Sequence, residues 1–118
     1  MKVFVYRNLR KNCFSIKALE GPMKGRVIAH RDSLELTGVT FKVTESTRLR
    51  VVATGKKEVH AGVVGEWDAD ACKANLATME QVRYNPRESG QFRKLDGSPV
   101  TSAPVAALTC GKYIFAAV

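Results

Sequence analysis

The sequence predicts an α+β fold, a largely antiparallel β-sheet of six or more short strands with two short helices. Three observations carry that expectation. Apolar and polar residues alternate over short runs, glycine, proline and asparagine punctuate those runs, and only two stretches carry a helical signature instead. No repeat, low-complexity segment or linker divides the chain, so residues 1–118 are read as a single domain.

Lys2 to Arg7 sets Val3 and Val5 on one face and Phe4 and Tyr6 on the other, the period of a strand. Asn8 to Asn12 is a polar turn, and Cys13 to Leu19 continues as a second strand with Phe14, Ile16 and Ala18 on one face. The two are expected to form a hairpin. Gly21, Pro22 and Gly25 interrupt the pattern, because proline cannot donate to a ladder and glycine frees the backbone. Arg26 to Arg31 resumes it as a third strand. Thr37-Gly38 signals a tight turn between Leu34-Glu35-Leu36 and a strand from Val39 to Val43, with Val39, Phe41 and Val43 inward.

Thr44 or Ser46 can cap a helix that follows, Glu45 complements its positive end, and Gly55 can end it in the left-handed conformation. From Glu58 to Val64 the chain alternates as a strand again. Asp68 to Met79, alanine-rich with acids at its front, predicts the second helix. Gln81 to Tyr84 is a strand, and Asn85-Pro86 and Asp96-Gly97-Ser98-Pro99 are turns. Val105 to Leu108 pairs with Tyr113 to Ala116 across Cys110-Gly111.

The composition is that of a globular domain: 45% of residues are hydrophobic and 25% charged. No apolar run approaches the roughly 20 residues of a membrane span, and Met1 to Arg7 is too short and too alternating for a signal peptide. A soluble, cytoplasmic protein with no membrane partner is therefore expected. Nineteen Lys+Arg against eleven Asp+Glu leave a net charge of +8, which attracts anionic partners and also aids solubility. Cys13, Cys72 and Cys110 form no Cys-x-x-Cys pair and have only His30 and His60 to assist, so neither zinc nor another cofactor is expected.

Catalytic patterns are missing as well. There is no Gly-x-Ser-x-Gly elbow and no cysteine with a placed histidine partner, so enzyme activity is disfavoured. The Glu66, Asp68 and Asp70 cluster has spacing that suits a divalent ion, but a short acidic cluster also simply starts a helix. Neither nucleotide-binding glycine loop is present, and Gly62-Val63-Val64-Gly65 allows a close ligand or marks a bulge. Arg48 and Arg50 lie two apart and so face different sides of their helix. In the later half, Tyr84 and Phe92 offer rings for stacking on a base, Asn85 an amide for its edge, and Arg87 and Arg93 guanidinium groups for phosphate. Each ring also has an ordinary role in core packing, and His60 one as a hydrogen-bonded structural residue.

Arg48-x-Arg50-Val51 followed by Lys57-x-Val59-His60-Ala61-x-Val63-x-Gly65 resembles a family of small phage-encoded proteins, Thoeris anti-defence family one. Lys2-Val3-x-Val5-Tyr6, Cys13-Phe14-Ser15, Gly25 to His30 and Tyr84-Asn85-Pro86 extend the likeness over most of the chain. The resemblance implies sequestration: binding a cyclic ADP-ribose isomer, in some members also cyclic oligonucleotides, without cleaving it, so that a host immune effector stays off. It also implies a homodimer or homohexamer, and a ligand site formed by Arg48, Arg50, His60, Tyr84, Asn85 and Phe92. The chain departs from the family at Ala53 and Lys56, where arginine is the family's residue, and Asp68 to Met79 has no counterpart. The charge alone suggests a different partner, host nucleic acid or a transcription component.

Overall fold

The computed structural model describes residues 1–68 and 76–117. Its strands are β1 (Lys2–Asn8), β2 (Cys13–Ala18), β3 (Val27–Arg31), β4 (Leu34–Val43), β5 (Ala61–Glu66), β6 (Glu80–Arg83), β7 (Phe92–Lys94), β8 (Pro99–Val100), β9 (Ser102–Thr109) and β10 (Tyr113–Ala116), with helix α1 (Glu45–Thr54) between β4 and β5. They form one ten-stranded sheet in the order β3-β2-β1-β5-β4-β9-β10-β6-β7-β8, and every neighbouring pair is antiparallel. The expected α+β class holds with more sheet and less helix: α1 is the one α-helix among the described residues. Most of the second expected helix, residues 69–75, lies outside them, and its described end, Leu76–Thr78, is a 3-10 turn.

This sheet rolls back on itself. Along it, β7 stands four steps from β4, about 19 Å if flat, yet the Phe41 and Phe92 rings lie 5.1 Å apart. The chain itself shows the same closure. Strand β8, the far edge, passes through the single residue Thr101 into β9, and the Thr101 carbonyl accepts the Phe41 N–H at 3.0 Å. A bent strand thus joins the edge to the middle, as strands do where sheets turn a corner.

The alternation read from the sequence decides what lies inside. Val3 and Val5 are fully buried, and Phe14, Ile16, Leu36, Val63, Ala106 and Leu108 join them in one core with Phe41, Phe92 and Val100. Strand β2 is covered on both faces, since Cys13 and Ser15 are buried as well as Phe14 and Ile16.

Two local expectations are corrected. Thr37-Gly38 is no turn: β4 runs unbroken from Leu34 to Val43. Gly38 takes a left-handed φ of 58°, and between Thr37↔Glu66 and Thr40↔Val64 strand β4 spends three steps on two of β5, a bulge that leaves its pairing with β9 in step. Strand β5 begins at Ala61, not Glu58, and its glycines are packing residues. A Cβ at Gly62 would stand 2.5 Å from the Val5 carbonyl and 2.6 Å from the Phe4 ring, and one at Gly65 2.9 Å from the Thr37 carbonyl beside the bulge.

Helix α1 starts after Thr44, which makes no side-chain cap, and ends at Gly55, whose φ of 72° lets its N–H reach the Val51 carbonyl at 2.9 Å. No residue of α1 is buried.

Candidate functional site

The segment after α1 returns along the helix: the Thr44 N–H donates to the His60 carbonyl at 2.7 Å, so the start of α1 and the start of β5 are tied together. Strand β6 delivers Tyr84 to the same place, and the turn after it, Asn85 to Glu88, brings the Pro86 carbonyl over the helix. The result is a cluster of Glu45, Arg48, His60, Tyr84 and Pro86, backed by Phe92.

Arg48 is its centre. Its Nε donates to both Glu45 oxygens at 3.0 and 2.9 Å, its Nη2 also meets Glu45, and its Nη1 donates to the Pro86 carbonyl at 2.7 Å. With all three nitrogens engaged the guanidinium is fixed in orientation, and its side chain is only 16% exposed. The Arg48 hydrogen bonds hold the Glu45 carboxyl below its ordinary range, and the same bonds raise the Arg48 pKa. Gly90 lies against this ion pair, and any side chain there would collide with the Glu45 carboxylate.

His60 and Tyr84 make the second half. His60 Nδ1 faces the Glu58 carbonyl at 2.8 Å, a group that can only accept, so Nδ1 carries the proton and Nε2 accepts from the Tyr84 hydroxyl at 2.8 Å. The Tyr84 ring stacks on Phe92 at 4.9 Å and 25°. Burial pushes the Tyr84 phenol above its ordinary value, with Arg48 acting against that rise and Glu45 adding to it.

Of the six residues expected to bind a ligand, four converge here, but in different roles. Arg48, His60 and half-buried Tyr84 border the surface. Phe92 is 4% exposed and packs between Phe41 and Tyr84, so it supports the Tyr84 ring from inside and offers no open face. Asn85 spends its Oδ1 on the Arg87 N–H at 3.0 Å, and its carbonyl accepts from Glu88 and Ser89; it builds the turn that aims Pro86. Arg50 lies on another side of α1, paired with Glu58 at 2.8 Å, and reaches the cluster only through that residue.

Sequence reasoning overlooked Glu45 as the partner of Arg48, although three-residue spacing on a helix is the signal for such a pair. Gly90 and the Pro86 carbonyl carried no local signal. Among the described residues no group of three His, Cys, Asp or Glu side chains stands close enough to hold a metal ion, and no helix is long and apolar enough to cross a membrane. A cavity of about 200 Å³ lies elsewhere, between Met1, Glu35, Glu66, Trp67 and Asp68, and its carboxylates repel an anion.

A second polar cluster joins β1, β2 and β3. Asn8 Nδ2 donates to Ser15 Oγ at 3.1 Å, which leaves the Ser15 proton for His30 Nδ1 at 2.8 Å. Asn8 Oδ1 in turn accepts from the Arg10 and Lys11 N–H groups and shapes the turn. Although a serine and a histidine meet here, Ser15 is 0% exposed and closed to any substrate.

The family model described as Mycobacterium phage L5 gene 82 protein matches residues 1–116. The chain is 35% identical over 98 residues to the gene 82 protein of Mycobacterium phage L5, covering 78% of this chain and 76% of that protein. No solved structure matches.

Proposed function

The chain belongs to the family of the Mycobacterium phage L5 gene 82 protein, and from that premise we propose that it is a phage anti-defence protein that binds and holds, without cleaving, a small anionic ligand bearing a base, of the cyclic ADP-ribose isomer class. The observation that supports this reading most is the pre-oriented Arg48 guanidinium beside the half-buried Tyr84 ring. A phosphate needs a fixed fork of N–H donors, and a base or ribose needs a ring and a hydroxyl. In this reading Glu45 is the gate: it occupies the Arg48 fork until a phosphate takes its place, and Tyr84 turns its hydroxyl from His60 to the ligand. Lys56, Lys57 and Arg87, whose side chains make no hydrogen bond or ion pair among the described residues, add long-range attraction. The proposal includes no catalysis: in this reading Arg48 pairs with the phosphate and Tyr84 stacks on the base or ribose of a ligand that is held intact.

Calorimetry of the protein with a cyclic ADP-ribose isomer, followed by heating and mass analysis of the released ligand, tests the reading. The expected result is binding at micromolar concentration or below, release of the ligand intact, and at least about tenfold weaker binding by Arg48→Gln, as loss of a charge-assisted pair implies. Absence of binding overturns the proposal, and release in altered form replaces it with an enzyme. If instead the protein shifts long DNA or RNA in a gel, with affinity falling steeply in salt, the +8 charge serves nucleic acid.

A further inference from the structure

Two ion pairs flank the site, and each is neutral as it stands: Glu45 with Arg48, and Glu58 with Arg50. A phosphate that takes the place of Glu45 on the Arg48 fork therefore adds a negative charge that the two pairs do not balance. Arg48 then holds the phosphate, and the Glu45 carboxylate is released beside it. Arg48, His60 and Tyr84 are all half-buried, so water screens a surplus charge there less well than in the open.

The charged and titratable groups around this place come from several elements. Helix α1 brings Glu45, Arg48 and Arg50, the segment before β5 brings Glu58 and His60, and β6 brings Tyr84. Arg87 and Glu88 in the turn after β6, and Lys42 at the end of β4, are exposed and screened by water and salt. Hydrogen bonds to Arg48 and Arg50 hold the Glu45 and Glu58 carboxyls below their ordinary range and raise the two guanidinium groups, and burial pushes the Tyr84 phenol up. Those paired groups and Tyr84 keep their charge from about pH 5 to about pH 8, the range in which imidazoles ordinarily titrate. His60 is the group placed to change. Its Nδ1 carries a proton toward the Glu58 carbonyl at 2.8 Å, and its Nε2 is bare, accepting the Tyr84 hydroxyl at 2.8 Å.

We propose that His60 balances the charge of this site: resting on the ligand reading above, it takes up one proton at Nε2 as an anion enters. The proton comes from solvent. The hydrogen bond to Tyr84 survives with its direction reversed, Nε2–H donating to the phenol oxygen, and the Tyr84 proton is thereby freed to donate to the ligand. Glu58 fixes which nitrogen receives the proton, because its carbonyl can only accept and already holds Nδ1–H. A neutral ligand of the same shape gives His60 no reason to charge, so the device favours anions. By linkage, the bound anion raises the pH at which His60 gives up its proton. Binding is therefore strongest below the midpoint of the free ring and weakens as pH climbs through that of the bound one.

Calorimetry with a cyclic ADP-ribose isomer, whose linked phosphates exchange no proton in this range, is run in buffers of low and high ionisation enthalpy. The binding enthalpy should differ between them with the sign of proton uptake, and affinity should fall about tenfold from about pH 5 to about pH 8. His60→Gln, which keeps a polar partner for Tyr84 and does not titrate, should lose both effects, while His30→Gln should keep them. Nitrogen-15 spectra of the complex, taken just above the midpoint of the free His60 ring, should show both ring nitrogens protonated. Buffer-independent enthalpy, a bare Nε2 in the complex, or proton uptake that survives His60→Gln overturns the role of His60 and leaves the ligand reading standing. Absence of binding in either buffer overturns both.

Discussion

The Asn8–Ser15–His30 and Glu45–Arg48–His60–Tyr84 clusters each contain a histidine bonded to a hydroxyl at 2.8 Å, yet they differ in everything that bears on function. In the first, the hydroxyl is fully buried and its partners are the Asn8 amide and the His30 ring. In the second, the hydroxyl belongs to a half-buried ring, an ion pair lies beside it, and α1, β5 and β6 all meet there. The comparison teaches that a short His–OH contact says little by itself. A contact on a buried hydroxyl ties strands together, whereas one at the junction of several elements, next to a fixed guanidinium, is the one that the proposed ligand would replace.

The largest expected effect separates support from contact. Phe92→Ala removes the buried ring behind Tyr84 and should cost about 3–5 kcal/mol in urea unfolding, with ligand binding lost only as the site loosens. Next, Ser15→Ala leaves half-buried Asn8 and exposed His30 to water and should cost about 0.5–1.5 kcal/mol, with ligand affinity unchanged; a loss of affinity in the folded variant would erase the distinction between the clusters. Tyr84→Phe should cost about 0.5–1.5 kcal/mol, the ordinary worth of one hydrogen bond, yet weaken ligand binding several-fold. Titration gives smaller effects. The Tyr84 phenol is raised, so its contribution is complete below its ordinary value of 10.0 and fades as pH climbs through the folded value; ultraviolet absorbance should show phenolate forming late. Smallest is the acid limb. Glu45 and Glu58 are lowered by Arg48 and Arg50, so their contribution holds above 4.5 and fades as pH falls through the folded values; melting temperatures at low and high salt should differ little, as for exposed pairs.

Strands whose apolar residues alternate were legible: β1, β2, β9 and β10 lie within a residue or a few of where the pattern puts them, and the Gly55 stop of α1 follows from local backbone physics. Strands β7 and β8 were not, because Phe92–Lys94 and Pro99–Val100 are too short to show a period, and their pairing is set by the roll of the sheet. The bulge at Gly38 looks like a turn from nearby residues alone, since both use the same left-handed glycine. In the site, residue types were readable but their duties were not. Whether a phenylalanine faces a ligand or backs a tyrosine depends on which strand curls over it, and whether Arg48 or Arg50 points inward depends on where the β6–β7 turn lands.

The path of β9 bears on how the molecule is made. Strand β4 takes β9 as its neighbour in pairs such as Leu34↔Leu108 and Thr40↔Ser102, residues separated by 74 and 62 positions. On a ribosome, β4 therefore emerges long before its partner, with an open row of backbone donors and acceptors that only a late segment can satisfy. Strands β1, β2 and β3 can zip together early, while the edge of β4 waits, exposed to other nascent copies and to chaperones. Slowing translation between β5 and β9 should lengthen that wait and raise the aggregated fraction, making this interval of synthesis the vulnerable one.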